Sequence, residues 1–251
     1  MRPGGGRKPA RRLDVALVER GLAPSRERAQ ALILAGRVEV DGRRAEKAGQ
    51  AVAEEAAITV GQPPHPFVSR GGVKLAAALD HFALDPAGFV CLDVGASTGG
   101  FTDCLLQRFA ARVYAVDVGH GQLDAKLRAD PRVVVREKVN ARALSTAEVP
   151  EPVDLAVVDV SFISLRLILP ALVPLVKKGG VIVCLVKPQF EAGRGEVPRG
   201  GVVKSPETRR RVVGEIEAAG TSLGLASLGA LASPILGARG NEEVLVGFRV
   251  N

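Results

Sequence analysis

The 251 residues are 47% hydrophobic and 24% charged, a balance that supports one large domain plus a small one and excludes a disordered or fibrous chain. No apolar run reaches the ~20 residues needed to cross a bilayer, and the basic N-terminal MRPGGGRKPARR lacks the apolar core of a secretory signal, so a cytoplasmic location without a membrane partner is expected. The formal charge of +7 is lopsided: residues 1–50 hold twelve Lys and Arg against six Asp and Glu, which suits a small polyanion-binding module joined to a nearly neutral body.

After a basic tail over residues 1–10, Leu13, Ala16 and Leu17 mark a short amphipathic helix stopped by Gly21. Ser25 then caps a second helix, Arg26 to Leu34, which buries Ala29, Leu32 and Ile33 and stops before Gly36. Val38 and Val40 run into an Asp41-Gly42 hairpin turn, and residues 57–60 close a small sheet, so the unit is α+β. Arg11, Arg12, Arg26, Arg28 and Arg37 gather around the second helix and its ends, where guanidinium groups can pair with phosphates. The run RRLDVALVERGLAPSRERAQALILAGRVEVDG resembles the S-four type of RNA-binding domain over residues 11–60, and the resemblance implies an RNA partner. Three prolines in GQPPHPFV predict a stiff linker at 61–68, followed by a body over 69–251.

In the body, FVCLDVG, RVYAVDVG, VVVREK, LAVVDVSF and GGVIVCLVKPQ alternate with the helical segments GGFTDCLLQRF, LDAKLRAD, SLRLILPALVPLV and SPETRRRVVGEIEAAG. Near-continuous Val, Leu and Ile strands alternating with helices predict a Rossmann-like α/β fold, a mostly parallel sheet covered on both faces. LGALASPILG and EVLVGFRV bring the sheet to seven strands and should pair antiparallel at one edge. Cys91, Cys104 and Cys184 sit among apolar neighbours without CxxC spacing, and His65, His81 and His120 lack ligand spacing, so buried thiols and no metal are expected.

Ligands in such sheets bind beyond the carboxyl ends of the strands. The first strand ends in Asp93, Val94 and a loop of Gly95, Ala96, Ser97, Thr98, Gly99 and Gly100, which departs from the dinucleotide G-x-G-x-x-G pattern. The second ends at Asp117, whose carboxylate can accept both hydroxyls of a ribose, followed by Val118. Together these resemble the S-adenosylmethionine pocket of class I methyltransferases, with Asp93 orienting the loop or reaching the donor's amino group through water. Asp159 and Lys187 end the fourth and fifth strands, and burying either charge alone would cost several kcal/mol, so the two should meet.

With Lys74, on an apolar helix before the first strand, and Glu243, opening the last, they resemble the Lys-Asp-Lys-Glu tetrad of FtsJ-like ribose 2′-O-methyltransferases. VSRGGVKL, CLDVGASTGGFTDCLLQ, VVDVSFISL, LVKPQFEAGRGEV and GARGNEE resemble the TlyA family still more closely. That resemblance implies methylation of cytidine ribose in ribosomal RNA, 16S or 23S or both, with ribosomal subunits as partners. Lysine is ordinarily protonated at neutral pH, so the four groups form a coupled set. Within it Lys187 is expected to activate the hydroxyl, Asp159 to orient Lys187, and Lys74 and Glu243 to hold the hydroxyl and the network. Strand alternation lets only one of Glu242 and Glu243 face the crevice, and the family match favours Glu243. His120 is expected at the pocket edge, and the Gly-rich segment 188–204, carrying Arg194 and Arg199, beside the site as a surface or substrate-closing loop. The competing reading is a non-catalytic RNA-binding or ribosome-assembly protein with a methyltransferase-like fold. The label haemolysin, also carried in this family, finds no amphipathic pore segment here.

Overall fold

Gly21 and Gly36, with φ of +70° and +67°, adopt the left-handed backbone that stops the first two helices where the sequence reading places their ends. A computed structural model describes residues 11–34, 36–61, 65–193, 195–237 and 240–251, and the chain divides into two compact units, Met1–Pro66 and Phe67–Asn251. The basic tail at 1–10, Gln62, Pro63 and Pro64 of the expected linker, and Arg194 lie outside the described residues.

The first unit runs β1 (Arg11–Arg12), α1 (Leu13–Glu19), α2 (Arg26–Leu34), β2 (Val38–Val40), β3 (Arg43–Arg44), β4 (Ala51–Val52) and β5 (Ile58–Val60). Ser25 Oγ accepts from the Arg28 amide at 3.2 Å, as a helix cap does. Asp41 and Gly42 both have positive φ, 51° and 73°, the backbone that turns β2 tightly into β3. A three-stranded sheet, β3-β2-β5, packs with both helices around Leu13, Leu17, Ala29, Ile33 and Val38, while β1 and β4 form a separate antiparallel ribbon.

The second unit runs α3 (Gly71–His81), β6 (Val90–Val94), α4 (Gly100–Gln107), β7 (Arg112–Asp117), α5 (Ala125–Arg128), β8 (Val133–Glu137), β9 (Val153–Val158), α6 (Leu169–Leu172), β10 (Val176–Val186), α7 (Pro188–Glu191), α8 (Pro206–Ser222), β11 (Leu225–Ala232) and β12 (Val244–Val250). Its seven-stranded sheet has the order β11-β12-β10-β9-β6-β7-β8, parallel from β10 to β8, with β12 antiparallel between β10 and β11. Alternating residues bury on opposite faces. Leu92, Val116, Ala156, Ile182 and Cys184 pack with Ile168, Leu172 and Ile216, whereas Cys91, Val113, Leu155 and Val183 pack with Leu75, Leu79 and Leu105. The three cysteines are buried, and burial pushes their thiols up.

One expected helix is corrected. SLRLILPALVPLV forms only short 3₁₀ turns at Leu165–Leu167 and Val173–Leu175 around the single turn of α6. Pro170 and Pro174 lack the amide a continuous helix would need. The sheet reverses winding at β6, with β7 on one side and β9 on the other, which opens a crevice at the carboxyl ends of these strands. Among the described residues no helix is long and apolar enough to cross a membrane.

Candidate active site

The loop after β6 is shaped by close backbone approach. Gly95 has φ +86°, and a Cβ there would run into the carbonyl oxygen of Asp159, so this turn and the end of β9 pack main chain to main chain. At the end of β7, Asp117 accepts from the Ser97 amide at 2.8 Å and the Gly119 amide at 2.6 Å, which ties the glycine loop to the second strand. Gly95, Ser97, Asp117 and Val118 line a cavity of about 430 Å³ with Gln122 and Asn140. It shares Gly95, Ser97, Asp159, Ser161 and Phe162 with a second cavity of about 580 Å³ that reaches Thr98 and Gly100.

For Asp93 the structure favours one of its two expected roles, and one expected donor contact, at Gly99, is corrected. Asp93 is wholly buried and lines neither cavity; it accepts from the Thr102 amide at 2.9 Å and from Thr102 Oγ1 at 2.6 Å. It therefore fixes the turn from the glycine loop into α4, the first of its two expected roles, and burial pushes its carboxyl up to about 7. Gly99, with φ +93°, also lines neither cavity, and a side chain there would meet Leu123 and Leu127.

All four charged residues of the expected tetrad face the 580 Å³ cavity. Lys74, on α3 beside the buried Leu75 and Ala78, donates to Glu243 Oε2 at 2.5 Å, with side chains 10% and 3% exposed. Lys187, at the end of β10, lies 2.6 Å from Asp159 Oδ1 and donates to Ser161 Oγ at 3.0 Å. Asp159 is held by its own amide, which donates to the Val94 carbonyl at 2.9 Å. Glu242 points away, exposed and paired with Arg209, so Glu243 is the inward carboxylate. His120 lines neither cavity; it is exposed and pairs with Glu137 at 2.6 Å, which corrects its placement at the pocket edge.

Several residues at this site escaped the sequence reading. Phe162, 89% exposed with φ +64°, packs at a 48° tilt against Phe190 with ring centroids 4.8 Å apart, and both line the larger cavity. A bulky residue held exposed in left-handed backbone is a costly arrangement that favours a functional role. Arg70 and Ser69 lie on the same wall one turn before Lys74. Asn241, 1% exposed, donates to the Gly201 carbonyl at 2.8 Å and accepts from the Val203 amide at 2.9 Å, which closes the Gly-rich segment over the cavity through Val197 and Gly201. Arg199 is not among the lining residues. Among the described residues no group of His, Cys, Asp and Glu could hold a metal ion.

In the first unit, Arg12 and Arg26 converge on the carboxylate of Asp14, Arg11 pairs with Glu19, and Arg37 donates to the Gly61 carbonyl at 3.0 Å. Arg28 is exposed on α2. Arg20 has a different task, donating to the Ala56 carbonyl at 2.6 Å and the Glu54 carbonyl at 2.7 Å and so pinning the turn before β5.

Comparison with known proteins places both units. A family model described as FtsJ-like methyltransferase matches residues 67–250, and one described as S4 domain matches residues 11–58. The chain is 51% identical over 239 residues to the 16S/23S rRNA (cytidine-2′-O)-methyltransferase TlyA of Mycobacterium tuberculosis, covering 95% of this chain and 89% of that protein. A solved structure from Streptococcus thermophilus is similar over 97% of this chain and 89% of that one, with 40% identity and a TM-score of 0.76. The N-methyltransferase NodS of Bradyrhizobium japonicum, solved in complex with S-adenosyl-L-homocysteine, shares the fold alone at 17% identity and a TM-score of 0.53, covering 75% of this chain and 91% of that one. The fold is thus that of S-adenosylmethionine-dependent methyltransferases, joined to an S-four RNA-binding unit, as the sequence reading expected.

Proposed function

The chain belongs to the TlyA family of FtsJ-like methyltransferases, and on that premise we propose that it methylates the 2′-hydroxyl of cytidine in 16S or 23S ribosomal RNA or both, in the cytoplasm, with S-adenosylmethionine as donor. The observation that carries this reading is the pair of ion pairs, Lys187–Asp159 and Lys74–Glu243, converging on one cavity continuous with the glycine loop. A degenerate, non-catalytic relative would have no reason to keep two lysines paired at this depth, where an unpaired charge costs several kcal/mol.

The residues fit the donor. The turn at Gly95 leaves a wall of bare backbone, and the Asp117 carboxylate, with one accepted amide on each oxygen, retains lone pairs for two ribose hydroxyls. The donor, when bound, supplies an electrophilic methyl group on a sulfonium. Lys187 is placed to hold the target hydroxyl, as an ammonium donating to its oxygen or as the neutral amine taking its proton, with Asp159 and Ser161 fixing the nitrogen from two sides. Lys74, oriented by Glu243, offers a second donor to the same oxygen. Phe162 and Phe190 offer an aromatic face at the mouth on which an unstacked base can rest, and Arg70 a cation for its phosphate. Holding hydroxyl and methyl in line can itself supply roughly 7–11 kcal/mol in ideal cases, so positioning weighs at least as much as basicity.

The test is incubation of the purified chain with separated small and large ribosomal subunits and methyl-labelled donor, followed by nucleoside mass spectrometry. The expected product is 2′-O-methylcytidine. Label on a base, or donor binding without transfer to either subunit, would overturn the assignment.

A further inference from the structure

Residues 1–50 carry +6 of the formal charge of +7, yet a carboxylate stands at the centre of the arginines there. Asp14 is 0% exposed and accepts from Arg12 Nε at 3.0 Å, Arg12 Nη2 at 2.9 Å, Arg26 Nη2 at 3.1 Å, Gln30 Nε2 at 3.0 Å and the Val15 amide at 3.0 Å. A carboxylate has about four lone-pair sites, so this one is saturated and has no capacity left for RNA. Both arginine side chains remain 54% exposed, one from β1 and one from the start of α2. A negative charge here subtracts from the electrostatic attraction such a unit needs, so its presence requires a compensating benefit. The bidentate contact removes rotamer freedom from Arg12, and the shared oxygen fixes Arg26 beside it, which are costs that flexible arginines would otherwise meet on binding.

We propose that Asp14 is a positioning residue for RNA capture, presenting Arg12 and Arg26 as one preorganised pair of guanidinium groups to neighbouring RNA phosphates. The inference rests on the reading of the first unit as the RNA-binding part. The side-chain hydrogen bonds, that of Arg12 foremost, hold the Asp14 carboxyl well below the usual carboxylate range, so the arrangement persists at any working pH.

Asp14→Asn in the full chain separates this role from plain electrostatics because the two predict opposite signs. It raises the formal charge from +7 to +8, and charge alone would tighten RNA binding and steepen its salt dependence. Positioning predicts instead that affinity for a ribosomal RNA fragment falls about five- to tenfold at physiological salt and that KM for RNA rises in proportion, with kcat and donor affinity within about twofold. Unchanged or tighter RNA binding would overturn the proposal. If thermal melting shows that this variant does not fold, Arg12→Lys and Arg26→Lys keep the charge at exposed positions while removing the fork. A loss of about threefold or more supports positioning, and wild-type affinity in both overturns it. Arg12→Ala combined with Arg26→Ala tests the underlying reading. If that pair leaves RNA affinity intact, both ideas fall; if it weakens binding while Asp14→Asn does not, only the role of Asp14 falls.

Discussion

The ammonium of Lys187 lies 2.6 Å from the Asp159 carboxylate at the carboxyl ends of β10 and β9, so the two adjacent parallel strands deliver their charges to one point. On the proposed reading the lysine, held by Asp159 and Ser161, serves the acceptor hydroxyl rather than the donor. Lys187→Ala is therefore expected to abolish methyl transfer while changing donor affinity by less than about threefold. Single-turnover kinetics paired with calorimetry checks this, and equal losses in turnover and donor binding would remove the assigned role.

Asp117→Ala is expected to behave in the opposite way. It removes the carboxylate that bridges the Ser97 and Gly119 amides and faces the smaller cavity. Donor affinity should fall by about 1–3 kcal/mol, the range for losing charged hydrogen bonds in a part-buried site. Unchanged affinity by calorimetry would place the ribose elsewhere.

Lys74 and Glu243 are the more deeply buried pair, with side chains 10% and 3% exposed. Removing one partner strands the other, so Lys74→Met should cost about 3–5 kcal/mol of stability. Lys74→Met with Glu243→Leu should recover most of that loss in urea denaturation yet stay inactive. A double variant no more stable than the single one would show that packing, not charge, is the source.

Asp93 gives a pH dependence with a defined sign. Its carboxyl is pushed from an ordinary 3.8 up to about 7 by burial, so between these values the folded chain keeps a proton that the unfolded chain has released. Stability contributed by the protonated group is thus present at low pH and lost as pH rises through about 7. Asp93→Asn should flatten this limb, read as urea midpoints from pH 5 to pH 8. The same slope in both proteins would assign the effect to other groups.

Replacing Arg12, Arg26 and Arg37 together by Ala should remove rRNA methylation at physiological salt while leaving donor binding intact. Each lost phosphate contact lowers the slope of log affinity against log salt by somewhat under one unit, so the combined variant should lose about two units. Filter binding across a salt series measures it. A wild-type slope with wild-type methylation would move the RNA anchor out of this cluster.

The tetrad was legible in unequal parts. Asp159 and Lys187 announce themselves because a charge ending a run such as AVVD or VCLVK has few stable fates except a partner, and they are paired. Lys74 and Glu243, 169 positions apart, came from resemblance, since nothing local reveals that α3 and the start of β12 meet. For Asp93 two roles stayed open because spacing does not say whether a strand-end carboxylate faces the ligand or the following helix, and its bonds to Thr102 favour the second. Phe162 and Phe190 escaped because their contact joins the loop after β9 to α7, and Asn241 because a buried amide looks like any loop polar residue. SLRLILPALVPLV misled in the other direction, its apolar density outweighing two prolines. In the first unit, composition exposed the arginines but not the carboxylate that holds two of them.

The place of β12 has a consequence for biosynthesis. It follows the other six strands of its sheet in the chain, yet it lies between β10 and β11 and pairs with both. While the nascent chain lacks it, Val181–Val186 presents an open, apolar edge, and Lys74 has no Glu243 to meet. On the proposed role of the tetrad, a growing chain is therefore expected to be without activity toward the ribosome that is making it. A chain terminated before this strand keeps the edge of β10 uncovered, and such an open apolar edge favours pairing with another chain.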